Sequence, residues 1–347
     1  MGILQGLLQA IREGKFIDST LDFMHYAMEN PLNNEDIDQL CDALKKNKHI
    51  KNLVLHHQSI GDQGAKALAS LNSLEELDLS NGLAGYVDYA NHISAEGALE
   101  LARSGLKKIN LSCNSIGDKG LEHLSTSSKL VELDVSGCSI TDVGAAHFFA
   151  TNSTVKRLNL ESNFLGDGAA MIALGTNKAL EFLNLTACSI TSEGATLISD
   201  NTNLKELILA DNFIQDAGAH ALAKNSSIEV LNLMQNQIAD DGALAFAAVT
   251  ALKILKLSDN PISSETKKKL HQQLPEVDLD LSYNTEETDI ASSVYVASEN
   301  PSLLLSHKRS SEQLFIDNNA YTITDDFFSK DNLECLQQST PKKHRYF

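Results

Sequence analysis

The residues best able to do chemistry in this sequence are two adjacent histidines and five cysteines: His56, His57, Cys41, Cys113, Cys138, Cys188 and Cys335. Adjacent residues of a strand point to opposite faces or into a turn, so we do not expect the two imidazoles to share a metal ion. The cysteines are odd in number and form no Cys-x-x-Cys pair, which favours a reducing compartment over a metal or redox centre. Cys335 has no assignable partner base that would make it a nucleophile.

Composition and motifs likewise give no indication of a catalytic site. The sequence contains no HExxH, no GxSxG and no glycine-rich phosphate loop. Its formal charge is −18, from 46 acidic and 28 basic residues, so a phosphate backbone would be repelled and we expect no nucleic-acid partner. No stretch approaches the roughly 18–20 apolar residues of a membrane helix, and the N-terminus lacks the features of a secretory signal. We therefore expect a non-catalytic, cytoplasmic, monomeric protein without cofactor, metal or membrane insertion.

A repeated apolar pattern organises most of the chain. The middle apolar residue of each LxxLxL unit falls at Leu53, Leu77, Ile109, Leu133, Leu158, Leu183, Leu207, Leu231, Leu255 and Leu279. Eight of the nine steps between these markers are 24 or 25 residues, and the other is 32. Each LxL predicts a short strand with its leucines pointing inward, and stacked parallel strands would bury one continuous core.

The residues after each strand predict a turn and a helix. Three residues past the last leucine comes a side chain able to satisfy turn backbone groups: Gln58, Asn114, Cys138, Asn163, Cys188, Asn212, Asn236, Asn260 or Asn284. An apolar anchor and then an Asp or Ser follow, at Asp62, Asp118, Asp142, Asp167, Ser192, Asp216, Asp240 and Ser264. We expect these to N-cap the helix of their own repeat. Most are followed by a glycine, where we expect the first helical turn to pack too tightly for a side chain.

The composite pattern LxxLxLxxNxIxDxGA, over about residues 50–285, resembles the leucine-rich repeat in its ribonuclease-inhibitor-like subtype. The alternation Asn114, Cys138, Asn163, Cys188, Asn212 is similar to the A/B alternation of that subtype. The resemblance implies an α/β solenoid shaped as a right-handed horseshoe, with a parallel sheet on the concave face and helices on the convex face. The period of 24–25 is shorter than is usual in the subtype, so the helices should be short.

Three regions follow from the repeat boundaries. Residues 1–49 are predicted as a helical N-terminal cap, with helices at 2–12 and 34–46 and a degenerate strand near Tyr26 and Met28. Residues 50–285 are the array of about ten repeats, with an insertion at 82–90. Residues 286–347 are either a C-terminal cap with a flexible tail or a segment that folds on binding.

Candidate partner-binding residues project from the concave strands. Phe182, Ile208, Val230, Met234 and Ile254 should form one apolar patch ~15–20 Å long, because neighbouring strands stack at ~4.8 Å. Such a patch either binds a protein or peptide or is covered by the C-terminal segment. Glu76, Asp78, Glu132 and Asp134 should steer a basic partner. Tyr86 and Tyr89 in the insertion either pack on the rim or contact a partner.

The predicted function is a protein–protein interaction scaffold that binds through its concave face. Short-period arrays of this type are similar to those of effectors that intracellular bacterial pathogens deliver into host cells, which suggests a role in virulence. The alternative is a regulatory protein that acts on a GTPase, for which Arg157 is the one arginine placed on the concave strands, or on the ubiquitin system through its C-terminal segment.

Overall fold

Short strands and helices alternate along residues 3–23, 31–81 and 89–282, which are the residues that the computed structural model describes. The strands are β1 (Thr20–Asp22), β2 (Asn52–Val54), β3 (Glu76–Asp78), β4 (Lys108–Asn110), β5 (Glu132–Asp134), β6 (Arg157–Asn159), β7 (Phe182–Asn184), β8 (Glu206–Ile208), β9 (Val230–Asn232), β10 (Ile254–Lys256) and β11 (Asp278–Asp280). The helices are α1 (Ile3–Arg12), α2 (Asn34–Leu44), α3 (Asp62–Ala69), α4 (Ala95–Ala102), α5 (Gly117–Ser125), α6 (Asp142–Thr151), α7 (Ala169–Thr176), α8 (Ser192–Ile198), α9 (Gln215–Leu222), α10 (Asp240–Leu244) and α11 (Ser264–Gln273), with a 3₁₀ helix at Ala245–Ala248.

The strands form one eleven-stranded sheet in which strand order equals chain order and the characterised pairs are parallel. The repeat markers pair directly, for example Leu53 with Leu77 and Leu77 with Ile109. Because each strand lies beside the next one in the chain, every connection crosses back over the same face, and the sheet stays open at its two ends. The predicted α/β repeat solenoid is confirmed.

A single aliphatic core fills the space between sheet and helices. The inward leucines of the strands, such as Leu133 and Leu158, are fully buried, and the core extends from Leu4 in α1 to Leu281 after β11. From α3 to α9 the helices have seven to ten residues, as the short period predicts. No single repeat could enclose such a core, so the array is stable only as a stack.

The first described strand lies just before the stretch predicted as a degenerate strand. Tyr26 and Met28 lie outside the described residues, whereas β1 at Thr20–Asp22 pairs in parallel with β2. Leu21 and Phe23 occupy the two inward positions and are buried, so the stretch LDF takes the place of LxL. The sheet therefore begins inside the segment predicted as a helical cap.

The turns after β2 to β10 are held by a ladder of buried side chains, as predicted, and the predicted ladder residue Asn284 lies outside the described residues. Asn163 accepts hydrogen bonds at Oδ1 from the backbone N–H groups of Cys138 (3.1 Å) and Ile140 (2.9 Å) in the preceding repeat. Its Nδ2 donates to the carbonyls of Val135 and Leu160, both at 2.9 Å. The Cys138 thiol donates to a backbone carbonyl instead, at 3.1 Å. The asparagine of one repeat thus satisfies backbone donors of the repeat before it, whether that repeat carries cysteine or, as with Asn260 and Asn236, asparagine.

The insertion leaves this ladder intact. Asn91, after the insertion, takes the ladder position and accepts from the backbone N–H groups of Gln58 and Ile60, at 3.2 and 2.9 Å. Asn81 closes the base of the insertion, since its amide accepts from the Asn91 N–H at 2.6 Å and donates to the Asn91 carbonyl at 2.8 Å. The extra residues therefore leave the repeat between two mutually hydrogen-bonded asparagines.

The prediction that each aspartate caps its own helix is wrong. Thr141 is the N-cap of α6, and Asp118 from the preceding repeat accepts hydrogen bonds from its backbone N–H and its hydroxyl. Asp167 relates to Thr191 at the start of α8 in the same way. The glycine in the first helical turn follows from this arrangement, because a Cβ at Gly194 would collide with the Asp167 carboxylate. The aspartates therefore connect successive helices.

A second asparagine ladder, not predicted from the sequence, lies between helix and following strand from α6 to α9. Asn177 accepts from the backbone N–H groups of Ala179 and Leu180, at 2.9 and 3.0 Å, and donates to the Phe149 carbonyl at 2.8 Å. Equivalent contacts are made by Asn152, Asn201 and Asn225. The signal was present, since each of these asparagines precedes a buried apolar residue by three positions.

Candidate protein-binding site

Three rows of side chains line the inner face, which is the sheet surface opposite the helices. The first row consists of the first residue of each strand, the second row of the third residue, and the third row of the residue two positions further on. Register is constant, so each row runs straight across the sheet, as in Arg157, Phe182 and Glu206. Every candidate on a strand can therefore be assigned to one row.

From β3 to β6 the first row carries charges of alternating sign. Lys108 Nζ lies 3.2 Å from Glu132 Oε2 and 3.8 Å from Glu76 Oε1. Glu132 is only 9% exposed. These two glutamates are partly neutralised by the lysine between them. Their role in steering a basic partner stays a prediction.

From β3 to β6 the second row alternates carboxylates and amides. Asp78 accepts hydrogen bonds from the Ser80 N–H at 2.9 Å and from Asn110 Nδ2 at 3.0 Å. Asp134 accepts from the N–H and the hydroxyl of Ser136 and, at 2.9 Å, from Asn159 Nδ2. These contacts occupy the carboxylates with structural partners, and they alternate charge with amide along the row.

Asp134 is fully buried. Burial raises its pKa to about 7, because desolvation disfavours the carboxylate more than its hydrogen-bond donors favour it. The carboxyl of Asp134 is therefore not presented to solvent, and the expectation that Asp134 steers a partner is corrected. Asp78 is 7% exposed, so its carboxylate is also largely shielded from solvent.

Arg157 covers Phe182. The guanidinium carbon lies 4.1 Å from the centre of the phenyl ring, and Nη2 lies 3.8 Å from Glu206 Oε2 on the far side of the ring. Phe182 is consequently only 4% exposed. Its ring contributes a cation–π contact within the inner face and little open apolar surface.

Four half-buried apolar residues remain, and we call them the apolar patch: Ile208, Val230, Met234 and Ile254. Val230 and Ile254 are direct partners in the first row. Ile208 lies one strand away in the second row, beside Asn232, and Met234 is in the third row. Glu206 separates this set from Phe182. The patch spans β8 to β10, roughly 10 Å across, and is shorter than the sequence suggests.

Of the two insertion tyrosines, Tyr86 lies outside the described residues. Tyr89 is half-buried, and its carbonyl accepts a hydrogen bond from the Ser59 N–H at 2.8 Å. A role of either tyrosine in partner binding stays a prediction.

His56 meets Asp78 and Ser80 in a cluster that has the residue types of a hydrolase triad. His56 Nδ1 lies 2.6 Å from Ser80 Oγ and 3.3 Å from Asp78 Oδ1. A Ser–His–Asp relay needs the serine and the aspartate on opposite ring nitrogens, whereas here both approach Nδ1. His57 has a positive φ of 51° in the turn, as expected for the second of two adjacent histidines at a strand end. The cluster is not arranged for proton relay.

Two exposed phenylalanines lie outside the inner face, and the sequence analysis did not single them out. Phe164 is 60% exposed and Phe213 is 49% exposed. Each directly follows a ladder asparagine, at a position where other repeats hold serine, such as Ser139 and Ser189. The change from serine to phenylalanine at this repeat position is the sequence signal that could have identified them.

Comparisons with known protein families identify the type of repeat. Leucine-rich repeat family models match residues 202–262, and also residues 106–125, 126–148 and 176–199. The chain is 32% identical to the ribonuclease inhibitor of Sus scrofa over 192 residues, which cover 43% of this chain and 42% of that protein. This chain is a leucine-rich repeat protein of the ribonuclease-inhibitor-like type.

Other relatives of this leucine-rich repeat protein cover a similar share. Leucine-rich repeat-containing protein 73 of Homo sapiens and of Rattus norvegicus is 32% identical over 191 residues, or 51% of this chain and 54% of that protein. The alignments thus span about half the length of these curated relatives. The crystal structure of a TLR13–ssRNA13 complex matches with a TM-score of 0.50 and 21% identity, over 70% of this chain and 34% of that one, which is a likeness of fold alone.

Residues 3–23, 31–81 and 89–282 can be assessed for membrane-spanning helices and for metal sites. None of their helices is long and apolar enough to cross a bilayer. Within the same ranges, no group of three or more His, Cys, Asp or Glu side chains is placed to hold a metal ion.

Proposed function

We propose that this leucine-rich repeat protein is a non-catalytic scaffold that binds a protein partner through the apolar patch on its inner face. Leucine-rich repeat proteins are generally protein-interaction scaffolds. The observation that supports this location is a contrast in the inner-face side chains between strands near β3 and strands β8 to β10. Toward β3 the inner-face side chains are paired with one another, whereas Ile208, Val230, Met234 and Ile254 expose apolar surface on three adjacent strands.

Rigidity makes this surface suitable for binding. Each strand under the patch is hydrogen-bonded on both sides, and the leucines behind it are fully buried. Little conformational entropy is lost when a partner docks on such a preorganised surface, so a small patch can contribute usefully to affinity. Half-exposed aliphatic side chains at its centre would be the main source of binding energy.

Charge around the patch favours a basic partner. Glu206 borders it but is partly neutralised by Arg157, whose Nη2 lies 3.8 Å away, and Asp278 and Asp280 follow on β11. Lys256 is the basic residue within the same strands. An acidic border speeds association with a positively charged partner and contributes less to the final affinity than the apolar contacts do.

Paired substitutions test the proposal. Ile208→Glu/Val230→Glu should abolish capture of partner proteins by the immobilised full chain, because two charges would be desolvated on docking. Val54→Glu is the matched control, since Val54 is also half-buried in the second row but lies on β2, far from the patch. Partners retained equally by the double variant and the control would refute the inner-face site, provided that circular dichroism shows all three proteins folded.

The biological setting is a separate proposal. Delivery by a bacterium into a host cell is testable by a translocation assay with and without residues 320–347. Action on a GTPase gains no support from Arg157, because its guanidinium is engaged by Phe182 and Glu206. A ubiquitin-related activity in residues 286–347 would lie outside the described residues. Cytoplasmic location and a monomeric state belong to the same proposal and are tested by fractionation and light scattering.

A further inference from the structure

The exposed Phe164 and Phe213 lie on the rim where strands lead into helices. Their backbones are fixed, since the Phe164 N–H donates to the Ile140 carbonyl at 2.9 Å and the Phe213 N–H donates to the Ile190 carbonyl at 2.8 Å. Each forms a bridge to the N-cap threonine of the preceding repeat. The two rings are therefore carried by rigid backbone, although their side chains are largely in solvent.

The position between the two rings is occupied by a small side chain. Phe164 and Phe213 are two repeats apart, and the equivalent residue of the intervening repeat is Ser189, with a φ of 61°. A phenyl ring thus stands on each side of a serine. The two exposed rings are thus carried by the repeats on either side of the one that holds Ser189.

The charges along this part of the rim are acidic. Residues 139–146, 162–172, 187–197 and 211–219 contain no lysine or arginine, and their charged residues are Asp142, Asp167, Glu193, Asp211 and Asp216. The lysines of the same repeats lie at the opposite rim, where Lys156 is 3.2 Å from Glu181 and Lys205 is 3.8 Å from Glu229. The two rims therefore differ: one is neutralised by ion pairs, and the other is acidic with exposed aromatic rings.

We propose that Phe164, Ser189 and Phe213, with Glu193 and Asp211, form a second docking surface, which we call the phenylalanine rim. Its occupant is a basic segment of another protein that carries one bulky apolar side chain. The apolar side chain would sit over Ser189 between the rings, and flanking Lys or Arg side chains would face the carboxylates or stack on the rings. This site does not depend on the inner-face proposal.

Charge complementarity selects this occupant over two others. A second copy of the chain would bring an equally acidic rim against this one, and like charges disfavour that contact. Residues 283–347 of the same chain hold ten acidic and six basic residues, so that segment is also negative as a whole. A basic partner segment with one apolar side chain matches both the exposed phenyl rings and the sign of the rim.

Selection of random peptides displayed on phage tests the proposal, with the full chain as bait. We expect enriched peptides that share a bulky apolar residue flanked by Lys or Arg. Their affinity should fall at least about tenfold on Phe164→Ser/Phe213→Ser and weaken with added salt. Val131→Ser is the matched control, because Val131 is an exposed apolar residue just before β5, at the opposite rim.

The other outcomes overturn the proposal. These are no enrichment, enrichment of acidic or uncharged peptides, or equal binding to the phenylalanine variant. Peptides that are lost on Ile208→Glu/Val230→Glu and kept on the phenylalanine variant would exclude the phenylalanine rim while supporting the inner-face site. Stronger peptide binding to Lys342→Ala/Lys343→Ala/Arg345→Ala would identify the chain's own C-terminal segment as the occupant and would also refute the proposal.

Discussion

Asp118 accepts two hydrogen bonds from Thr141, the N-cap of the next repeat's helix, one from the backbone N–H and one from the hydroxyl, both at 2.7 Å. The carboxylate thereby satisfies a backbone donor at the start of α6 that the helix itself cannot. It also orients the hydroxyl that caps Val143. Asp62, Asp167 and Asp240 make the same contact, so the helices of the array are joined in series.

Asp118→Ala should lower the free energy of unfolding by about 1–2 kcal/mol, because it removes two hydrogen bonds at a helix N-terminus. Urea denaturation followed by circular dichroism measures the change. Glu122→Ala in the same helix is the control, since Glu122 pairs only with the exposed Lys119 and should cost little. Equal effects of the two substitutions would show that the inter-repeat contact does not contribute to stability.

Asn212→Ala should destabilise the array more strongly, by about 3–5 kcal/mol. Asn212 Oδ1 serves the buried N–H groups of Cys188 and Ile190, and its Nδ2 donates to the Leu185 and Leu209 carbonyls. Asn232→Ala is the comparison, because Asn232 is half-exposed and caps only the Met234 N–H. Thermal unfolding of both variants shows which substitution destabilises the protein more. A smaller loss of stability for Asn212→Ala than for Asn232→Ala would contradict the structural role of the ladder.

Asp134 should make stability depend on pH near neutrality. Its pKa is about 7 in the folded protein against an ordinary 3.8, so the folded state keeps a proton that the unfolded state has released. Stability from this group is present below about pH 4, falls as pH rises, and levels off above about pH 7. Asp134→Asn should remove this fall, up to about 4 kcal/mol, since Asn already occupies the equivalent positions 110 and 159.

Denaturation curves for the wild type and Asp134→Asn across about pH 4 to 8 measure the difference between them. Parallel pH profiles would mean that Asp134 is already ionised in the folded protein at low pH. Asp280→Asn serves as the control, because Asp280 occupies the same row but is only half-buried.

The buried cysteines should resist alkylation. Burial raises the pKa of Cys188 to about 12 and likewise that of Cys41, so almost no reactive thiolate forms. Mass spectrometry after brief iodoacetamide treatment at mild alkaline pH should find Cys41, Cys138 and Cys188 unmodified in the folded protein and modified in urea. Rapid labelling of Cys188 without denaturant would contradict its place in the ladder.

The strands were predictable because the information is local. Leu183 and Leu185 are two residues apart, and that spacing fixes which side chains face inward in any strand. Recurrence at 24–25 residues then required neighbouring strands to pair, and the direct pairing of Leu183 with Leu207 confirms it. The aspartate contacts were not predictable in this way. Asp118 is as well placed in sequence to cap its own helix as to reach Thr141, and only packing of one repeat on the next distinguishes the two.

The candidate site was predictable in outline and not in extent. Phe182 and Val230 have the same sequence context, yet Arg157 covers the first and leaves the second accessible. The covering side chain comes from the neighbouring strand, 25 residues earlier, so no local pattern indicates it. The exposed Phe164 was recognisable as an unusual residue at its position but not as an exposed one.

The sequence alone determined that this protein is a stack of parallel strands and short helices, because the period and the alternation of leucines permit few other ways to bury them. The tertiary structure decided which side chains of that stack meet solvent. Asp134 and Asp280 share a position in the repeat, but Asp134 lies between two amide-bearing strands and is buried, whereas Asp280 lies on the terminal strand and is half-exposed. Burial depends on neighbours one repeat away on both sides, and those neighbours exist only in the folded array.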